Sequence, residues 1–83
     1  MKARPPAEAI SVIGTFDAAT ERDLAVEELH SAARALRSLG ANETYGVRLA
    51  LRANTLWLVV VHREDMTADE DDDLWRDCLG FTA

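Results

Sequence analysis

The fold is decided by residues 45–63, YGVRLALRANTLWLVVVHR. Apolar side chains alternate with other residues through 45–52, and residues 55–63 form an apolar, β-branched run, so both stretches predict strands. Only Ala53 and Asn54 separate them. A two-residue connection predicts a β-hairpin, and Asn54 is the loop residue that would accept a positive φ.

This loop length fixes which residues of the hairpin lie opposite each other. Opposite residues of an antiparallel pair point to the same face of a sheet. One face is then almost wholly apolar and is predicted to carry a helix; its pairs are Leu51–Leu56, Leu49–Leu58, Val47–Val60 and Tyr45–His62. The other face mixes arginine with large apolar side chains; its pairs are Arg52–Thr55, Ala50–Trp57, Arg48–Val59 and Gly46–Val61.

The residues before the hairpin predict a strand followed by a long helix. Residues 9–16 are short and β-branched, as in a strand. Residues 17–39 place apolar side chains at three- and four-residue steps, with Asp17 or Thr20 as the cap and Gly40 as the stop. The apolar stripe comprises Val26, Leu29, Ala33 and Leu36, and it is widened by Ala25, Ala32 and Leu39.

A second helix is predicted after the hairpin. Thr67 and Glu70 have the spacing of a capping box, and acidic residues follow at the positive end of the helix dipole. An apolar stripe then runs through Leu74, Trp75, Cys78 and Leu79, and Gly80 ends the helix.

The predicted order is therefore β-α-β-β-α, which is an α+β fold. It matches a ferredoxin-like three-stranded sheet with two helices on one face, with the final strand missing and with the other sheet face open for dimerisation. Residues 1–8, which include two prolines, are expected to be a flexible arm. Residues 9–83 are expected to be a single domain, since the chain has only 83 residues.

Charge is distributed unevenly along the chain. The net charge is −6, but residues 1–63 sum to +1 and residues 64–83 to −7. This layout argues against nucleic-acid binding, which needs clustered Lys and Arg, and it permits a basic protein partner. The acids available for such a partner are Asp69, Glu70, Asp72, Asp73 and Asp77.

The sequence indicates no membrane span and no signal peptide, so we expect a cytoplasmic protein. The excess of Arg over Lys, eight to one, indicates a GC-rich genome, bacterial or phage. The single cysteine, Cys78, excludes an internal disulfide and is expected to be a buried structural thiol.

No catalytic, cofactor or metal site is predicted. His30 and His62 lack a second ligand at a zinc-site spacing. Asp69, Asp71 and Asp73 alternate like the start of a calcium loop, but the glycine and glutamate that such a loop requires are missing. No cofactor is therefore implied by the sequence.

Trp57 is the most informative single residue. On an open sheet face it would be exposed beside Val59 and Val61, with Arg48 and Arg52 at the rim. An exposed apolar patch with a polar rim is typical of an interaction surface. We therefore expect a homodimer through these five residues.

The opening strand, Ala-Ile-Ser-Val-Ile-Gly at residues 9–14, and the order of elements resemble the ACT domain, which senses small molecules. The resemblance implies a ligand-binding role. The turn residues that bind amino acids in that family have no clear counterpart in this sequence.

Three functional hypotheses follow. The first is a small non-enzymatic interaction or regulatory domain that self-associates through the open sheet face. The second is an acidic inhibitor or antitoxin-like protein whose last helix occupies a basic site on a target. The third is a small dimeric enzyme or ACT-like ligand-binding domain, with a pocket lined by Trp57, His62, Tyr45 or Arg48 from two chains.

Overall fold

The structure, a computed structural model, describes residues 4–67. The elements follow one another as β1 (Ser11–Asp17), α1 (Arg22–Ser38), β2 (Tyr45–Arg52) and β3 (Thr55–His62), and a 3₁₀ turn at Arg63–Asp65 follows β3. The sheet has the order β1-β3-β2, and both neighbours of β3 run antiparallel to it. The described part is thus a small α+β domain compatible with part of a ferredoxin-like fold. The second predicted helix lies outside the described residues.

The predicted hairpin register is confirmed at every pair. Leu49 lies opposite Leu58 and Arg48 opposite Val59, and the other six pairs agree. The positive φ of the loop falls on Ala53, at 54°, and not on Asn54. A positive φ at the first loop position alone is the pattern of a type II′ turn, whereas the sequence favoured positive φ at Asn54.

Helix α1 packs on the apolar face of the hairpin, as the sequence predicts. Ala33, Val47 and Leu58 form the buried centre of the core. The half-buried side chains that pack around this centre come from all four elements and comprise Phe16, Leu29, Ala32, Leu36, Leu49 and Val60. Two members of the predicted helix stripe are exposed: Val26 is 39% exposed, and Leu39, the C-cap residue of the helix, is 80% exposed.

The helix begins later than the sequence predicts. Asp17 is the last residue of β1, opposite Thr55, and its carboxylate accepts hydrogen bonds from the backbone N–H groups of Ala19 and Thr20. These bonds form a turn, and α1 starts at Arg22 without a side-chain cap. At the other end Gly40 has φ +71°, and the N–H of Ala41 bonds to the carbonyl of Leu36, so the predicted glycine stop is confirmed.

Strand β1 is an irregular edge strand. Val12 lies opposite Val59 and Gly14 opposite Leu58, so Ile13 is an extra residue with no partner in β3. This is a β-bulge, which bends the strand and increases its local twist. Among the described residues no strand lies on the outer side of β1.

No helix within residues 4–67 is long and apolar enough to cross a membrane.

Candidate interaction surface

The sheet face that turns away from α1 carries the residues predicted to form an interface. We call it the Trp57 face. It consists of Trp57, Val59 and Val61 of β3 and of the β2 residues opposite them, together with the β1 residues that point to the same side.

The centre of the Trp57 face is covered, whereas the sequence predicts it to be open. Val59 and Val61 have no solvent exposure at all, and Ala50 is buried beside them. Part of the cover is Met66, whose sulfur lies so close to Gly46 that a Cβ there would overlap it. Gly46 therefore makes room for the chain that follows β3.

Arg48 joins this face to two segments that cross it. Its Nη1 donates to Glu8 Oε1 over 2.8 Å, and its Nη2 donates to the backbone carbonyl of Asp65 over 2.6 Å. Pro6, two residues before Glu8, is buried. The described part of the N-terminal arm thus contacts the sheet, and Arg48 is engaged within its own chain.

The electrostatics of Glu8 reflect this contact. The pKa of Glu8 lies below its ordinary value, first because its carboxylate accepts a bond from its own backbone N–H, and then because Arg48 and Arg52 are close. The loss of water around the carboxylate acts in the opposite direction, and its effect is larger than that of any single interaction with either arginine. The charged form of Glu8 is therefore favoured in the fold.

Trp57 and Arg52 are the predicted interface residues that lie nearest the hairpin loop. Trp57 is half-buried, and its indole nitrogen is buried with no hydrogen-bond partner in the described part of the chain. Arg52 is exposed, and its Nη1 donates to the carbonyl of Leu51. Of the five predicted interface residues, Arg52 is exposed, Trp57 and Arg48 are partly exposed, and the two valines are buried.

The exposed apolar side chains of the Trp57 face belong to β1 and to Ile10, the residue before it, which the sequence did not predict. Gly14 and Phe16 point toward α1, so alternation along the strand puts Ile13 on the opposite side. Val12 shares that side because it pairs with Val59, and Ile10 shares it by the same alternation.

These three residues are close to half exposed: Ile10 48%, Val12 42% and Ile13 49%. We call them the β1 cluster. The bulge is the reason that Val12 and Ile13, which are consecutive, lie on one face. The isolated Gly14 within a strand pattern was the available signal for it.

The residues named for a ligand pocket are divided between the two faces of the sheet. Tyr45 and His62 stack on the α1 side with ring centroids 5.7 Å apart, as their predicted pairing implies. Trp57 and Arg48 lie on the other side. One chain therefore does not bring these four side chains to a common pocket.

His30 lies at a shallow depression on the outer surface of α1. The depression is lined by α1 side chains alone: Leu24, Glu27, Glu28, His30, Ser31 and Arg34. Within residues 4–67 no group of three His, Cys, Asp or Glu side chains could hold a metal ion. The acids proposed for a basic partner, Asp69, Glu70, Asp72, Asp73 and Asp77, and the thiol of Cys78 lie outside the described residues.

No protein-family model matches this sequence, and no curated protein or solved structure is significantly similar to it.

Proposed function

We propose that this protein is a small non-enzymatic interaction domain, regulatory in role, that self-associates as a homodimer through the Trp57 face. The observation that carries the proposal is the β1 cluster, Ile10, Val12 and Ile13, which leaves three large apolar side chains about half exposed on one face. Grouped apolar exposure of this kind is typical of contact surfaces on soluble proteins.

We place the proposed contact on β1, one strand away from the sequence-based expectation, for the following reasons. Val59 and Val61 are covered by their own chain, and Arg48 is bound to Glu8 and Asp65. In the proposed dimer these residues support the contact from within the monomer. Trp57 and Arg52 lie at its margin, where an indole and a guanidinium can contact a partner without burying an unpaired charge.

Sedimentation equilibrium at tens of micromolar tests this proposal. We expect a particle of 18.4 kDa, twice the 9.2 kDa of the chain. Association should change little between low and high salt, because an apolar contact is not screened by ions. A particle of 9.2 kDa at every concentration and salt would contradict it.

A second candidate rests on the −7 charge of residues 64–83. An inhibitor that occupies a basic site would bind its target with a strong salt dependence. Replacing Asp72 and Asp73 by Asn should then weaken that complex severely while it leaves self-association intact. Unchanged binding of a basic target by the doubly substituted, folded protein would exclude this candidate.

A further inference from the structure

The β1 cluster is an apolar surface without charge. No residue from 9 to 16 is ionisable, so β1 presents neither sign to a partner until Asp17. In the sequence, the charged residue before this stretch is Glu8, which is paired with Arg48. The cluster therefore offers no ion pair to a strongly acidic or strongly basic partner.

From these observations, and resting on the proposed self-association, we infer that the partner at the β1 cluster is the same cluster of a second copy. A two-fold contact places the same patch of both copies face to face. A patch with a net charge would therefore repel its own copy. The uncharged strand avoids this repulsion. In an antiparallel arrangement Asp17 of each copy would lie toward the start of the other strand, where the charge of Glu8 is already compensated by Arg48.

The geometry favours side-chain packing over strand-to-strand pairing. The bulge at Ile13 breaks the regular spacing of backbone groups that a neighbouring strand would need. At the far end Glu21 satisfies both backbone groups of Asp17: its carboxylate accepts from the N–H of Asp17, and its N–H donates to the carbonyl of Asp17. Neither backbone group of Asp17 is therefore available to pair with a strand of another copy.

Charge substitutions in the cluster test the location of the contact. Ile13→Lys and Val12→Lys should each raise the dimer dissociation constant by roughly tenfold or more, since each leaves an ammonium unpaired in an apolar contact. Both positions are exposed in the monomer, so the far-UV circular dichroism should stay that of the wild type. The matched control is Leu39→Lys, at an 80% exposed leucine beyond the end of α1, and it should leave the constant unchanged.

Ser11→Pro separates side-chain packing from backbone pairing. Ser11 lies opposite Val60, so its side chain is on the α1 side and outside the Trp57 face. Ile10 donates its N–H to Val60, so by alternation the N–H of Ser11 points away from β3, and a proline there removes no bond of the sheet. We expect the Ser11→Pro dimer to be as stable as the wild-type dimer. A folded Ser11→Pro monomer would overturn packing by side chains.

The failure of this inference and that of the proposed function give different results. A wild-type protein that stays monomeric removes the proposed function. A wild-type dimer that Ile13→Lys and Val12→Lys both leave intact keeps self-association but removes the β1 cluster as its site.

Discussion

Arg48 and Glu8, forty positions apart in sequence, are joined by a 2.8 Å hydrogen bond between Nη1 and Oε1. The same guanidinium donates to the carbonyl of Asp65, on the other side of the hairpin in sequence. One side chain of β2 therefore fixes both the N-terminal arm and the 3₁₀ turn against the Trp57 face. This relationship explains why an arginine stands opposite Val59, on the covered part of the face.

Removing the guanidinium should loosen both segments. Arg48→Met keeps much of the length and apolar stem of the side chain but cannot donate to Glu8 or Asp65. We expect a lower urea midpoint of unfolding and faster proteolysis of the arm. The control is Arg52→Met, because the Arg52 guanidinium donates to the carbonyl of its neighbour Leu51 and does not bond to the arm or the 3₁₀ turn. Equal effects of the two substitutions would contradict the role of Arg48.

The lowered pKa of Glu8, caused first by the bond from its own backbone N–H and then by Arg48, predicts a dependence of stability on pH. Because the pKa of Glu8 is lowered in the fold, its contribution to stability is complete above the ordinary pKa of a glutamate and is lost as the pH falls through the lowered value. Glu8→Gln should therefore differ most from the wild type at neutral pH, and the two unfolding midpoints should converge in acid. If the unfolding midpoints of the two proteins differ by the same amount down to strongly acidic pH, then Glu8 does not make these contacts in solution.

The core on the α1 side should be sensitive to truncation at Leu58. This side chain has no exposure and lies at the centre of the core. Leu58→Ala should cost about 2–5 kcal/mol, as is usual when a buried leucine is removed. Leu51→Ala, at a leucine 51% exposed near the end of the same face, should cost clearly less. Denaturant titration measures both free energies, and comparable losses would contradict the burial described.

The hairpin loop should be improved by glycine at position 53. Ala53 has φ +54°, a conformation that is costly for any residue with a Cβ. Ala53→Gly should stabilise the protein by up to about 1 kcal/mol, because relief of this strain exceeds the added freedom of the unfolded chain. Asn54→Gly, at a loop position without a positive φ, should destabilise it slightly. Thermal melts of the two variants measure the difference in sign.

Two glycines in the sheet should respond differently to an added methyl group. A Cβ at Gly46 would overlap the Met66 sulfur, whereas a Cβ at Gly14 would meet the Phe16 ring at an ordinary 3.6 Å. Gly46→Ala should cost about 1–3 kcal/mol by overpacking, and Gly14→Ala should cost less than 1 kcal/mol or stabilise the strand. If Gly46→Ala is tolerated as well as Gly14→Ala, then Met66 does not cover this face in solution.

The strands of the hairpin, their register and the end of α1 could be predicted because each depends on local chemistry. A two-residue loop leaves one register that buries a whole apolar face, and Gly40 supplies the left-handed residue that a helix end requires. The start of α1 could not be fixed in the same way. An aspartate before a helix can cap it or form a turn with the next residues, and Asp17 forms the turn because it also belongs to β1.

The candidate surface was harder to predict because it depends on contacts between distant segments. The alternation along β3 correctly placed Trp57, Val59 and Val61 on one face. It carried no information on the arm, the 3₁₀ turn or Met66, which have no periodicity that would assign them to a face. The bulge at Ile13 likewise arises from the pairing of β1 with β3, and in the sequence only Gly14 hinted at it.

The most direct test of self-association through β1 is a dilution series followed by backbone amide chemical shifts of the wild-type protein. This measurement needs no substitution and reports on every described residue at once. We predict concentration-dependent shifts centred on Ile10, Val12 and Ile13, with small changes at Trp57 and none along the outer surface of α1. Shifts that do not change with concentration, or that are centred on α1 around His30, would contradict the account.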